Sequence, residues 1–383
     1  MHPDEFDPLG TEQAQALREV VRELLDARSD SAAVRAAVTS SRGYDSDLWS
    51  VLCGQIGVAG LAVPEEYGGA GATLAEVHVV LDELGGALTP SPMLGSAVLA
   101  TQALLTADDD AACERLLPGI AAGESIAALA WTGEDGAWSP QQPAVAADGD
   151  VLTGDAHYVL DGDIADVLLV PARVGDGVGL FQVEPTAAGV RAVHTPALDQ
   201  TRRLARVELS DVAARRIGSG DYTAALRRVR DIGLVALSAE QVGAAHSALT
   251  RTVAYTKERK QFSRPIGGFQ ALKHRMADVH VAVEAARSSS QAALRSALQA
   301  NRELPVDAAV AKVRCSAALH QAAAEMIQLH GGIAITWEHD AHLYFKRAHG
   351  AAQLFGSPEA HVAALTPADV RWQHDVADRA ATG

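Results

Sequence analysis

The stretch Arg259-Lys260-Gln261-Phe262-Ser263-Arg264-Pro265-Ile266-Gly267-Gly268-Phe269-Gln270 sets the architecture of this chain. Upstream of it, Val229, Ile232, Ala236, Ala239 and Val242 recur at the spacing of one helix face, in a segment that reaches Lys257. Downstream, a second long helical pattern covers residues 270–300. Pro265 and Gly267-Gly268 break the chain between the two. Pro305 opens a third helix, which Gly331-Gly332 ends, and a fourth begins beyond Glu338. Four long helices with short connections predict an up-and-down bundle over residues 221–383.

Toward the N-terminus the pattern changes. Over residues 123–220, short apolar runs such as IAALAW, VLLVPARVG and GLFQVEP alternate with turn residues. Asp148-Gly149 and Asp161-Gly162 read as tight turns between strands, so this part is a small β-domain. Residues 1–122 read as all-α, with helical spacing over 11–30, 45–56, 74–84 and 93–105. Residues 60–71, GLAVPEEYGGAG, form a Pro/Gly-rich connection within it. The fold class is α+β: a helical domain, a β-domain, then a four-helix bundle.

Composition narrows the function. A net charge of -16 repels phosphate backbones, and only 4% of residues are aromatic. Both features speak against a nucleic-acid partner. The cysteines Cys53, Cys113 and Cys315 are scattered and lack metal-ligand spacing, so no metal site and a reducing, cytoplasmic setting are expected. The start MHPDEFDPLG has no apolar signal core. No run reaches the roughly 18 apolar residues needed to span a bilayer.

Residues 259–270 resemble the RxQFGxPIxxFQ segment of acyl-CoA dehydrogenases. Gln328-Leu329-His330-Gly331-Gly332 is similar to that family's QxxGG motif, and Leu198-Asp199-Gln200-Thr201-Arg202 to its DTR element. Residues 60–71 resemble the family's helix connection. The matches fall in order over nearly the whole chain. The resemblance implies FAD as cofactor, an acyl-CoA thioester as substrate, a homo- or heterotetramer and an electron-acceptor flavoprotein. It implies that Arg259, Phe262, Phe269, Gln328, Gly331 and Gly332 reach an FAD held mainly by a neighbouring subunit. Arginine suits a pyrophosphate because its planar fork is bidentate. Glycine suits the same place because a Cβ blocks close backbone approach.

In the β-domain, Ala130-Trp131-Thr132-Gly133 resembles the family's LTE strand, which puts Trp131 and Thr132 by the flavin ring. Tyr158-Val159-Leu160-Asp161-Gly162 resembles the WIT-N-G strand, whose threonine donates to flavin N5. Leu160 stands at that position and cannot donate. Trp138 reads as a core or surface aromatic.

The family reaction takes an α-proton to a carboxylate and passes a β-hydride to the flavin. The base is usually a glutamate in a YEG-T-S segment. Counted along Gln353-Leu354-Phe355-Gly356-Ser357-Pro358-Glu359, its place falls on Gly356. A minority of the family carries the base on the first bundle helix, here Gly233. Asp231 is a candidate base two residues away, and Glu359 a second. The third possibility is a mixed oligomer whose partner holds the base. Two other readings stand beside dehydrogenation: a catalytically silent structural subunit, and a flavin-dependent oxygenase or natural-product dehydrogenase. The run Trp337-Glu338-His339-Asp340 reads as a helix start, because adjacent side chains on a helix diverge.

Overall fold

The computed structural model describes residues 8–365. Most of the acidic start of the chain, and the bundle segment beyond Leu365, lie outside them. Helices come first: α1 (Glu12–Arg28), α2 (Ser31–Thr39) and α3 (Ser46–Val51). Each is opened by a side chain that accepts from orphan backbone N–H groups: Thr11, Asp30 and Asp45. α3 runs on into a π-helical turn, Leu52–Ile56. Thr73 and Glu76 form a capping box at the start of α4 (Leu74–Ala87). A second π-helical segment, Met93–Ala100, is buried throughout and leads into α5 (Thr101–Leu105). α6 (Asp110–Ala121) follows. The four predicted helices of this region are present. The apolar pattern missed α2, which only Ser29-Asp30 separates from α1, and α6, which carries Pro118.

The eight strands are β1 (Ala127–Leu129), β2 (Val145–Asp148), β3 (Val151–Leu160), β4 (Val167–Val174), β5 (Gly177–Val183), β6 (Val190–His194), β7 (Leu204–Ala213) and β8 (Arg215–Ile217). They form one sheet, ordered β6-β7-β3-β2-β4-β5-β8, with β1 beside β4. Asp148-Gly149 is the predicted hairpin turn between β2 and β3. Asp161-Gly162 is not a hairpin turn. It ends β3, but β3 pairs with β2 and β7, and the next strand, β4, pairs with β1, β2 and β5. The Asp-Gly signal marked a strand end, and long-range pairing chose the neighbour.

The bundle is built from α7 (Thr223–Glu258), α8 (Gln270–Leu298), α9 (Leu304–His330) and α10 (Ala341–Gln353), followed by the short α11 (Pro358–Ala364). Between α7 and α8, β9 (Lys260–Gln261) and β10 (Arg264–Pro265) make a two-stranded hairpin. The middle of α7 is buried on every side. Small residues permit this: a Cβ on Gly243 would sit 1.9 Å from the Asp82 carbonyl of α4. Among the described residues, no helix is long and apolar enough to cross a membrane.

A buried ion network locks the sheet to the bundle. Arg347 of α10 lies 3.0 Å from Asp199 and donates to Thr201 Oγ1 at 2.7 Å, and Arg202 pairs with Glu240 of α7. The Leu198–Arg202 element is therefore an anchor between layers. Removing one partner of such a network strands a buried charge.

Candidate functional site: a closed cleft and an open tip

The sequence candidates fall into two places. The first is the cleft between the sheet, α7 and the loop after α10. Beyond β1 the chain stays extended: Ala130 N–H donates to Leu169, and the Thr132 carbonyl accepts from His157 N–H at 2.7 Å. Trp131 and Thr132 are buried, and neither Trp131 Nε1 nor Thr132 Oγ1 has a hydrogen-bond partner. Each is a buried polar group left without a protein partner.

The space in front of Trp131 is filled with hydrocarbon. Trp131 packs edge-on against Trp138 with ring centroids 5.0 Å apart, and Trp138 packs edge-on against Phe355 at 4.9 Å. Phe355 reaches α7: a Cβ on Gly233 would lie 3.4 Å from its ring. It would also lie 2.8 Å from Leu99 Cδ2 of the π-helical segment. Leu160 is buried nearby, its Cβ 2.9 Å from where a Cβ on Gly95 would stand. Trp138 is thus a core aromatic, the first of the two readings its sequence allowed.

The loop geometry separates Phe355 from Gly356. Phe355 has φ +62° and turns its ring toward Gly233; Gly356 has φ +99°, and a Cβ there would face His361 Nε2 at 3.2 Å. Gly356 serves a backbone conformation that a side chain would strain. Two donors hold the loop. Buried Lys312 Nζ donates to the carbonyls of Ala351 (2.5 Å) and Leu354 (2.8 Å), and His361 Nε2 bonds the Phe355 carbonyl at 2.9 Å. Burial pulls the Lys312 amine down to about 7. Lys312 sits on the core-facing stripe of α9 with Ala308, Ala311 and Cys315, the one sequence signal that could have exposed it.

The candidate bases are placed differently from each other. Asp231 is buried, but Arg230 donates to its Oδ1 through Nε and Nη2 at 3.1 and 2.8 Å. Burial raises its carboxyl above the usual range, with Arg230 opposing. Glu359 is exposed at the start of α11.

The second place is the tip of the bundle, and it is open. Arg259, Gln328, Gly331 and Gly332 are exposed, and a Cβ at either glycine would meet no atom within 4 Å. Phe262 is 87% exposed in a left-handed conformation at the hairpin turn. Phe269 packs edge-on to it at 6.1 Å and carries Arg264 over its face at 3.9 Å. The two motifs are brought together. Tyr255, one turn before Arg259, stacks on His330, the residue before Gly331, with ring centroids 4.2 Å apart. Ile333, Ile335 and Trp337 beside them are exposed as well. Exposed apolar residues gathered at one end of a molecule mark an interaction surface.

Residues 11–124 match the family described as acyl-CoA dehydrogenase, N-terminal domain, and residues 231–366 match acyl-CoA dehydrogenase, C-terminal domain. The chain belongs to the acyl-CoA dehydrogenase family. Its relatives include the acyl-CoA dehydrogenase IpdE2 of Mycobacterium tuberculosis, 45% identical over 349 residues, covering 91% of this chain and 94% of that protein. IpdE2 of Mycolicibacterium smegmatis is 40% identical, covering 91% and 96%. Among solved structures, the ChsE4-ChsE5 complex from Mycobacterium tuberculosis matches with a TM-score of 0.85 and 28% identity, covering 94% of this chain and 97% of that one. The Tcur3481-Tcur3483 steroid ACAD G363A variant matches at 0.82 and 31%, covering 97% and 99%. Enzymes of the acyl-CoA dehydrogenase family are FAD oxidoreductases, and the three-part fold seen here is theirs.

Within that family frame, the tip leaves room for a dinucleotide: Arg259 and Gln328 are exposed, and a Cβ at Gly331 or Gly332 would meet no atom within 4 Å. The cleft does not fit a flavin in the form described. Its ring face is occupied by Trp138 and Phe355, and Leu160 offers no donor.

Proposed function

We propose that this chain is the flavin-gripping, non-catalytic member of a heteromeric acyl-CoA dehydrogenase. The assembly carries out FAD-dependent α,β-dehydrogenation of an acyl-CoA thioester. The observation that carries this reading is the contrast between the filled cleft and the open tip. Phe355 takes the place of the catalytic carboxylate: its ring, and not Gly356, faces the alternative base position Gly233. Both family positions for a base therefore meet in one hydrocarbon contact, and no group there can take an α-proton.

Arg259 supplies a bidentate donor to a pyrophosphate, Gln328 an amide, and Gly331-Gly332 a backbone that can approach phosphate closely. Exposed Phe262, Ile333, Ile335 and Trp337 gain burial when a partner subunit covers them. When bound there, FAD supplies the redox chemistry and accepts the β-hydride. The partner supplies the base, and a further flavoprotein takes the electrons. The ChsE4-ChsE5 complex supports a two-chain assembly, and the steroid ACAD of the second structural relative supports a steroid-derived thioester as substrate class.

The test is co-expression with the subunit encoded beside this chain, followed by flavin content and acyl-CoA-dependent dye reduction. Both are expected with the pair and neither with this chain alone. A purely structural subunit is the second reading, which the filled cleft also favours. It is separated by Arg259→Ala: unchanged flavin content and activity of the pair would establish it and remove the grip.

A further inference from the structure

We propose that Tyr255 and His330 are positioning residues for FAD, joining the two halves of the grip into one rigid unit. The inference rests on the reading that Arg259 and Gly331-Gly332 face the cofactor. Arg259 closes α7, and its own N–H donates to the Tyr255 carbonyl at 2.8 Å. On the other side, Gly331 leaves α9 with φ +68° directly after His330. The Tyr255 and His330 rings lie 4.2 Å apart and 24° from parallel, and the Tyr255 hydroxyl donates to the His330 carbonyl at 3.4 Å. One contact therefore fixes both the residue that carries the guanidinium and the turn that carries the glycines.

The stack is itself braced. His330 Nδ1 donates to the Met326 carbonyl one turn back at 2.8 Å, which fixes the ring's rotation. His339 also packs against it, with ring centroids 4.4 Å apart. His339 Nδ1 accepts from Ala341 N–H at 3.0 Å, the first residue of α10. Three rings from three separate segments thus stand behind an exposed site. A grip made of one long side chain and one glycine turn has little rigidity of its own, and a mispositioned donor forfeits the binding it could give. The rings supply that rigidity without touching the cofactor.

The experiment measures FAD dissociation from the complete two-subunit complex, together with the KM for its acyl-CoA. His330→Ala and Tyr255→Leu are expected to weaken FAD binding by about fivefold or more, as loss of a ring stack implies, with KM unchanged. His330→Phe and Tyr255→Phe keep the stack while losing one hydrogen bond each, and are expected to stay within about twofold of wild type, because the ring contact is the larger part of the brace. Wild-type FAD affinity in His330→Ala and Tyr255→Leu, with Arg259→Ala still losing FAD, would overturn the positioning role and leave the grip standing. Wild-type affinity in Arg259→Ala would overturn the grip itself. If the two phenylalanine variants lose FAD as fully as His330→Ala, the stack is not the positioning element.

Discussion

The cleft and the tip of this molecule are built from similar materials and end in opposite states. Both gather aromatic rings, a glycine-bearing turn and the end of a long helix. In the cleft the rings of Trp131, Trp138 and Phe355 close on each other. At the tip, Tyr255 and His330 stack behind the surface and leave Gly331, Gly332 and Arg259 facing outward. The difference teaches that one fold can close rings into its core at one place and leave glycines and a guanidinium facing outward at another. The packed rings add buried apolar contact, which stabilises the fold at that place.

The contrast can be broken at its closed end first. Phe355→Ala empties the space between Trp138 and Gly233 and is expected to cost about 3–5 kcal/mol of stability, read from denaturant unfolding. A cost near zero would mean the ring is not core. Next in size is Arg259→Ala at the open end. Losing a charge-assisted fork should weaken FAD binding to the two-subunit complex by roughly 10–100-fold, measured by flavin fluorescence, and leave stability unchanged.

Lys312→Met probes the loop that presents Phe355. Two buried carbonyls lose their donor, at a cost of about 2 kcal/mol. The pH dependence follows from the lowered amine. Between about 7, the folded value, and 10.5, the ordinary one, the unfolded chain binds a proton that the folded chain does not. Lysine's contribution to stability therefore rises with pH across that window, and the difference between wild type and variant should grow from pH 7 to pH 10. A difference that stays flat would put the amine in its charged form throughout. The smallest effect is expected from Asp231→Asn. Paired with Arg230, it should leave turnover of the complex within about twofold, whereas loss of a true general base costs on the order of a hundredfold or more.

The fold was legible because its signals are long. Helical spacing over α7, α8 and α9 is sustained for 27 residues or more, and the strands between Ala127 and Ile217 are bounded by turn residues. The tip was legible for a different reason: its residues lie in two contiguous motifs. What escaped is what depends on long-range packing. Nothing local in the sequence says that Trp138 meets Trp131 and Phe355, or that Leu99 fills the space beside Gly233. A count along residues 353–359 put the missing carboxylate at Gly356. The side chain turned toward Gly233 is that of Phe355, one residue earlier. Asp161-Gly162 shows the same limit, since a turn signal fixes where a strand stops and not which strand comes next.

The most direct measurement is the amount of FAD per polypeptide in the purified chain and in its two-subunit complex. A cleft filled by Phe355 and Trp138 and a tip that serves a neighbour predict no bound FAD in the chain alone. They predict one FAD for each pair of unlike subunits, lost on Arg259→Ala. One FAD on every copy of this chain by itself, retained when Arg259 is replaced, would contradict the account.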